Sequence, residues 1–119
     1  SSGSLGCAAA VSLGIAFAHP EKDIYVATSH GAFQEGIWAE CLRVARKYNV
    51  ANWKPYINFN GYGAYHEISY EDTMREIEGF GFPVKVIKTN SNFGNVSGLD
   101  SHYHVLTEKE YQEIIKEMH

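Results

Sequence analysis

Cysteine is scarce in this chain, basic charge is not concentrated anywhere, and no apolar run is long enough to cross a bilayer. The two cysteines, Cys7 and Cys41, make no disulfide framework. Both fall in apolar helical patterns, so both are expected as small buried side chains in a reducing, cytoplasmic setting. Ten Lys and Arg stand against fourteen Asp and Glu, for a net charge of −4. With no basic stripe, nucleic-acid binding has no electrostatic support. The apolar run over residues 5–18 is too short to span a membrane. It ends Ala16-Phe17-Ala18, in the manner of a signal-peptide cleavage site, but no basic segment precedes it. A buried helix is expected there. There is no initiator Met, and residue 1 is read as a cut edge.

What is present is ordinary for a globular protein: 45% hydrophobic and 20% charged residues over 119 positions. That length suits one small domain with one core. Eight Tyr, six Phe and two Trp are available, and several fall in polar segments, where aromatics line a pocket or a partner surface. Internal repeats and low-complexity segments are absent from the sequence.

The stretch from Ile24 to Tyr62 organises the rest. Alternation around Ile24 and Val26 predicts a strand over residues 23–28. A polar loop, Thr28-Ser29-His30-Gly31-Ala32-Phe33-Gln34-Glu35-Gly36, leads into a helix over residues 36–48. Ile37, Cys41, Val44, Ala45 and Tyr48 are its expected apolar stripe, with Arg43, Arg46 and Lys47 in water. A second strand is expected over residues 52–59, with Trp53, Ile57 and Phe59 inward; Pro55 counts against its first half. The loop Asn58-Phe59-Asn60-Gly61-Tyr62-Gly63 follows.

In such a βαβ unit both loops lie at the carboxyl ends of neighbouring parallel strands, where open α/β sheets bind ligands. His30 and Asn60 are therefore expected to meet.

The flanks read as support. Gly6, Ala10 and Gly14 recur at four-residue spacing on the first helix and offer a thin face for another backbone. His19-Pro20 stops that helix. Ser69 with Asp72 resembles a capping box opening a helix that buries Met74 and Ile77. Val84, Val86 and Ile87 form a third strand. A polar loop over residues 90–101 leads to a last helix capped by Thr107 with Glu110, whose stripe is Tyr111, Ile114, Ile115 and Met118.

Three constellations could carry chemistry. His30, Gly31 and Asn60 form a two-loop site. Its glycine lets a backbone approach a ligand, its helix-start amides favour an anion such as phosphate, and its asparagine oxygen can bind a divalent cation. Equally, a glycine after a strand makes a turn. In His102-Tyr103-His104, alternate imidazoles on an extended segment point the same way and could share a ligand or metal; a pair of surface histidines is the plainer reading. Glu35 stands at a helix start, where the dipole already favours an acid.

The chain resembles the thiamine-diphosphate-binding domain of transketolases, especially the N-terminal subunit of split, two-chain transketolase-like enzymes. SSGSLGCAAAVSLGIAFA is similar to the family's Gly-Ser-Leu-Gly opening and the helix after it. SHGAFQEGIWAE is similar to its Gly-Asp-Gly-x-x-x-Glu-Gly segment, and VANWKPYINFNGY to the segment ending in its metal-binding asparagine. KTNSNFGNVSGLDSHYHVLTEKEYQEIIKEM is similar to the closing part of that domain.

The resemblance implies an α/β fold, a three-layer αβα domain with a mainly parallel sheet. It also implies a pyrimidine-binding partner subunit or domain, an oligomer, and transfer of a two-carbon ketol unit between sugar phosphates. Asn60, the Tyr62 carbonyl and the residue at His30 would hold a divalent metal. Gly31, Ser29, Gly6 and Asn60 would line the diphosphate. Glu35 would reach a partner's catalytic glutamate, and His102 would sit beside the reacting centre.

Three positions depart from the pattern: His30 stands where the family has a metal-binding aspartate, Ser29 where it has a glycine, and Cys7 where a His or Gln follows Leu-Gly; the segment before Lys88 is also shorter than the family's. Magnesium prefers oxygen ligands, so an imidazole should weaken it, whereas manganese or zinc tolerates nitrogen better. The non-enzymatic alternative is a truncated transketolase-like binding or regulatory domain that has lost metal and cofactor. A third, weaker idea is a nitrogen-rich metal site from His30, His102 and His104.

Overall fold

The computed structural model describes residues 4–63, 66–89, 100 and 104–118. Their elements, in chain order, are α1 (Ala8–Ala18), β1 (Ile24–Ser29), α2 (His30–Phe33), α3 (Gly36–Tyr48), β2 (Trp53–Phe59), β3 (Tyr62–Gly63), β4 (His66–Glu67), α4 (Tyr70–Phe80), β5 (Lys85–Lys88) and α5 (Glu108–Met118). The chain divides into two units, Ser1–Thr89 and Asn90–His119.

The first unit is α/β, built on a three-stranded parallel sheet in the order β1-β2-β5. Helical crossovers make parallel pairing possible, since α3 spans β1 to β2 and α4 lies between β2 and β5. Register sets the faces. Val26 lies opposite Pro55, Thr28 opposite Ile57, and Ile57 opposite Val86. These residues and Trp53 and Phe59 point one way, toward the helices. Tyr25, Ala27, Asn58 and Ile87 point the other way and are exposed, Tyr25 at 63%. Among the described residues of this unit, the helices contact the inward face.

Trp53 centres the core. Its ring stacks on Trp38 of α3 at 5.8 Å and meets Phe82 at 5.6 Å. Its Nε1–H donates to Ser12 Oγ of α1 at 2.9 Å. Trp38 is fully buried, and its own Nε1 has no hydrogen-bond partner among the described residues.

Pro55 is tolerated for a geometric reason. The Asn52 carbonyl accepts from Ile24 toward β1, and the Phe59 carbonyl accepts from Thr89 toward β5. Alternation then turns the Pro55 backbone toward β5, one residue before pairing with β5 begins at Tyr56. No ladder hydrogen bond is lost.

Four expectations about packing are corrected. The α3 stripe is Trp38, Cys41, Leu42 and Ala45, while Val44 and Tyr48 are exposed. Trp38 and Leu42 complete an i, i+3, i+4, i+7 face that buries more apolar area than one through Tyr48. Helix α1 is buried on one side only, through Ala9, Ser12, Leu13 and Ala16; Val11, Ile15 and Phe17 are exposed. Ala10 is exposed and Gly14 has no close neighbour, so the small-residue face meets no backbone there. Cys41 is buried as expected, but Cys7 is exposed because it precedes the helix on its open side.

Helix starts follow the sequence closely. Ser69 Oγ accepts from the Asp72 N–H at 3.3 Å and caps α4, which ends at Gly81 with φ +64°. Asp72 does not return the capping bond; it pairs with Arg75 at 2.8 Å.

In the second unit, Thr107 and Glu110 cap α5 reciprocally: Thr107 N–H donates to Glu110 Oε2 at 2.8 Å, and Glu110 N–H to Thr107 Oγ1 at 3.4 Å. The Thr107 amide, then His104 and the Thr107 hydroxyl, hold the Glu110 carboxyl down to about 2. Ile114 and Ile115 are half-buried, as their stripe implies, while Tyr111 is exposed.

Asn52 ties the end of α1 to the start of β2. Its Nδ2 faces the carbonyls of Ala16, His19 and Lys22 at 2.9, 3.1 and 3.0 Å. Asn52→Ala should leave those carbonyls poorly satisfied and cost about 1–3 kcal/mol. A fall in the urea midpoint at unchanged slope is the expected result.

Candidate functional site

The carboxyl edge of the sheet gathers five segments. Strand β1 ends at Ser29, opposite Asn58 of β2. The chain turns at once into α2, with Ser29 Oγ accepting from the Ala32 N–H at 3.3 Å. β2 ends at Phe59. Asn60 then makes a tight turn in which its Oδ1 accepts from the Tyr62 N–H at 3.1 Å. Gly61 has φ +87°, a conformation that excludes most side chains, and its carbonyl accepts from Ile68 at 2.8 Å. The short antiparallel pair of β3 and β4 and the start of α4 complete the edge.

Gly6 and Glu35, twenty-nine positions apart in the sequence, meet here. Gly6 is buried with φ +85°, and a Cβ on it would stand 2.8 Å from Glu35 Cβ and 2.9 Å from Ile37 Cγ2. Only glycine fits this contact. Glu35 itself is exposed, caps α3 by position, and makes no side-chain capping bond. A shallow cleft of about 350 Å³ opens between the start of α1 and the end of β1, lined in part by Ser4, Gly6, Cys7, Thr28 and Ala32. Gly31 is half-buried beside it in sequence.

His30 and Asn60 were expected to share a ligand, and their side chains are engaged elsewhere. His30 is 1% exposed. Its ring lies 4.8 Å from that of Phe59, and its Nε2 is 2.8 Å from Thr73 Oγ1 of α4. The Thr73 hydroxyl donates to the Ser69 carbonyl at 2.9 Å. A hydroxyl has one proton, so His30 must donate from Nε2. That leaves Nδ1 a bare, buried acceptor without a partner among the described residues. Burial first, and then the charge of His66, push the imidazole below its ordinary range. Burial thus favours the neutral imidazole, and its Nε2 is engaged with Thr73.

Among the described residues, no group of three or more His, Cys, Asp or Glu side chains is placed to hold a metal ion. Of the donors His30, Asn60 and the Tyr62 carbonyl, the imidazole is sequestered by Thr73, while the Asn60 oxygen accepts one backbone hydrogen bond and keeps a second lone pair. His102 lies outside the described residues. Its neighbour His104 is half-buried and 3.0 Å from both carboxylate oxygens of Glu110.

Thr73 is the residue that sequence reasoning missed. Its signal was available: a β-branched hydroxyl four residues after the Ser69 cap, one position before the inward Met74. A second contact chain was also unforeseen. Phe59 meets Tyr70 at 5.2 Å, and Lys88 Nζ lies 3.6 Å from the Tyr70 ring centroid.

No protein-family model, curated protein or solved structure matches this chain.

The folded pKa of His30 lies below its unfolded value of about 6.5. The unfolded state thus binds the extra proton first, and stability falls as pH drops through that value toward the folded one. His30→Gln keeps a donor for Thr73 but cannot titrate. Between about pH 7.5 and 5.5, the wild type should lose more thermal stability than His30→Gln, measured by circular dichroism.

Proposed function

We propose that this chain is a transketolase-like, thiamine-diphosphate-binding subunit in a three-layer αβα fold. It would contribute the diphosphate half of a site that a pyrimidine-binding partner completes. The assembled enzyme would transfer a two-carbon ketol unit between sugar phosphates in the cytoplasm. The observation that carries this reading is the parallel β1–α3–β2 unit. It sets residues 29–32 and 60–62 at adjacent strand ends, while Gly6 packs on Glu35. The motif order along the chain agrees with it.

Two open surfaces support a partner. Helix α1 carries no charged residue and leaves Val11, Ile15 and Phe17 exposed. Val11 and Ile15, one turn apart, make an apolar strip of the kind that suits association, while Phe17 on the other flank meets Tyr48 at 5.9 Å. Glu35, exposed at the same edge of the unit, is free of any capping bond.

A second reading has a specific observation in its favour. His30 is bound into the core by Thr73 and Phe59, so the position that should carry a metal-binding carboxylate is a structural pin. This favours a catalytically inactive transketolase-like binding or regulatory domain that has given up the metal.

Calorimetric titration of thiamine diphosphate, with magnesium and then manganese, separates the two. Binding by the wild type with either metal supports the subunit reading. Recovery of binding only in His30→Asp, with a melting curve showing that the variant folds, supports the inactive descendant. Absence of binding in both, with a pyrimidine-binding partner added, removes the cofactor from the assignment.

A further inference from the structure

We propose that a second cleft, at the amino-terminal edge of the sheet, binds a small aromatic anion: a planar ring bearing a phosphate or carboxylate. It lies between the starts of β2 and β5 and the ends of α3 and α4, far along the strands from residues 29–32. Its volume is about 650 Å³, within the range of small-molecule sites, roughly 300–1,000 Å³.

The wall is aromatic and the rim is cationic. Tyr56 lines it as the half-exposed ring, the buried Trp53 and Phe82 close it from behind, Arg46, Lys54 and Lys85 stand around it, and among the described residues no acidic one lines it. Three cations converge on one cleft in a chain whose net charge is −4. Lys54 pairs with Asp23 at 4.0 Å. Arg46 and Lys85 form no ion pair among the described residues.

Both of these are held in place by other means. Arg46 Nη1 reaches the Phe80 carbonyl at 3.5 Å, and its guanidinium lies so close to Gly81 that a Cβ there would stand 3.3 Å away. Lys85 Nζ lies 5.6 Å from the Tyr56 ring centroid.

The ends of α3 and α4 work against an anion here, because helix C-termini present carbonyls. Several of those carbonyls are occupied within the fold. The Asn49 N–H donates to the Ala45 and Arg46 carbonyls, the Gly81 N–H to Glu78, and Arg46 covers Phe80. A guanidinium pairs two oxygens of a phosphate or carboxylate in one plane, and a ring fills the space beside the aromatic wall. Neither part alone uses the whole cleft, so a ligand with both is selected over inorganic phosphate and over a neutral ring.

The test is an amide chemical-shift titration of the whole chain with phenyl phosphate, benzoate, inorganic phosphate and benzyl alcohol. Phenyl phosphate or benzoate should shift the amides of Ala51, Gly81 and Lys85 saturably. The tighter of the two names the head group. Its affinity should exceed that of inorganic phosphate and of benzyl alcohol by about tenfold, and Arg46→Gln and Lys85→Gln should each weaken it by about fivefold. Lys85 is exposed, so its variant remains informative if the loss of Arg46 disturbs the turn at Gly81. The proposal is overturned by no saturable shift, by shifts confined to residues 29–32 and 60–62, by inorganic phosphate binding equally well, or by unchanged affinity in both variants.

Discussion

The core of the first unit depends on the indole of Trp53. It stands at the start of the central strand and is touched from three sides. Ser12 of α1 takes its N–H, Trp38 of α3 stacks on it, and Phe82 closes the turn before β5. A three-stranded sheet buries little by itself, so one large side chain that joins two helices and a neighbouring strand supplies much of the cohesion. The same residue lines the basic cleft. Packing at the amino edge and the form of that cleft therefore share one cause.

The carboxyl edge is organised around a different contact, His30 with Thr73. It fastens the turn after β1 to the first turns of α4, and Phe59 supports the ring from the end of β2. A neutral imidazole suits this place because it donates one hydrogen bond and tolerates burial. A carboxylate there would need a cation or several donors to offset its desolvation. The position that the resemblance assigns to metal binding is thus one where this chain invests in structure. His30→Asp would place a carboxylate in that buried setting at the expense of the contact with Thr73.

The first unit leaves apolar surface open on two sides. The outward sheet face shows Tyr25 and Ile87, and α1 shows Val11, Ile15 and Phe17. Helix α1 carries no charge to hold water on that side. Among the described residues, no helix is long and apolar enough to cross a membrane.

Much of the local structure was legible in the sequence. Helix α3 runs over the expected residues 36–48, Ser69 and Thr107 cap where they should, and His19-Pro20 ends α1. Caps, prolines and apolar periodicity act within a few residues, so one sequence displays them. The meeting of Gly6 with Glu35, the capture of His30 by Thr73, and the convergence of Arg46, Lys54 and Lys85 were not legible. Each joins residues from different elements, and a one-residue rotation of a helix, such as that separating Trp38 from Ile37, redirects every partner. The sequence by itself determined an α/β chain with loops at parallel strand ends. The tertiary structure alone decided which side chains those loops could spare for a ligand, because burial and hydrogen bonding across elements settle that.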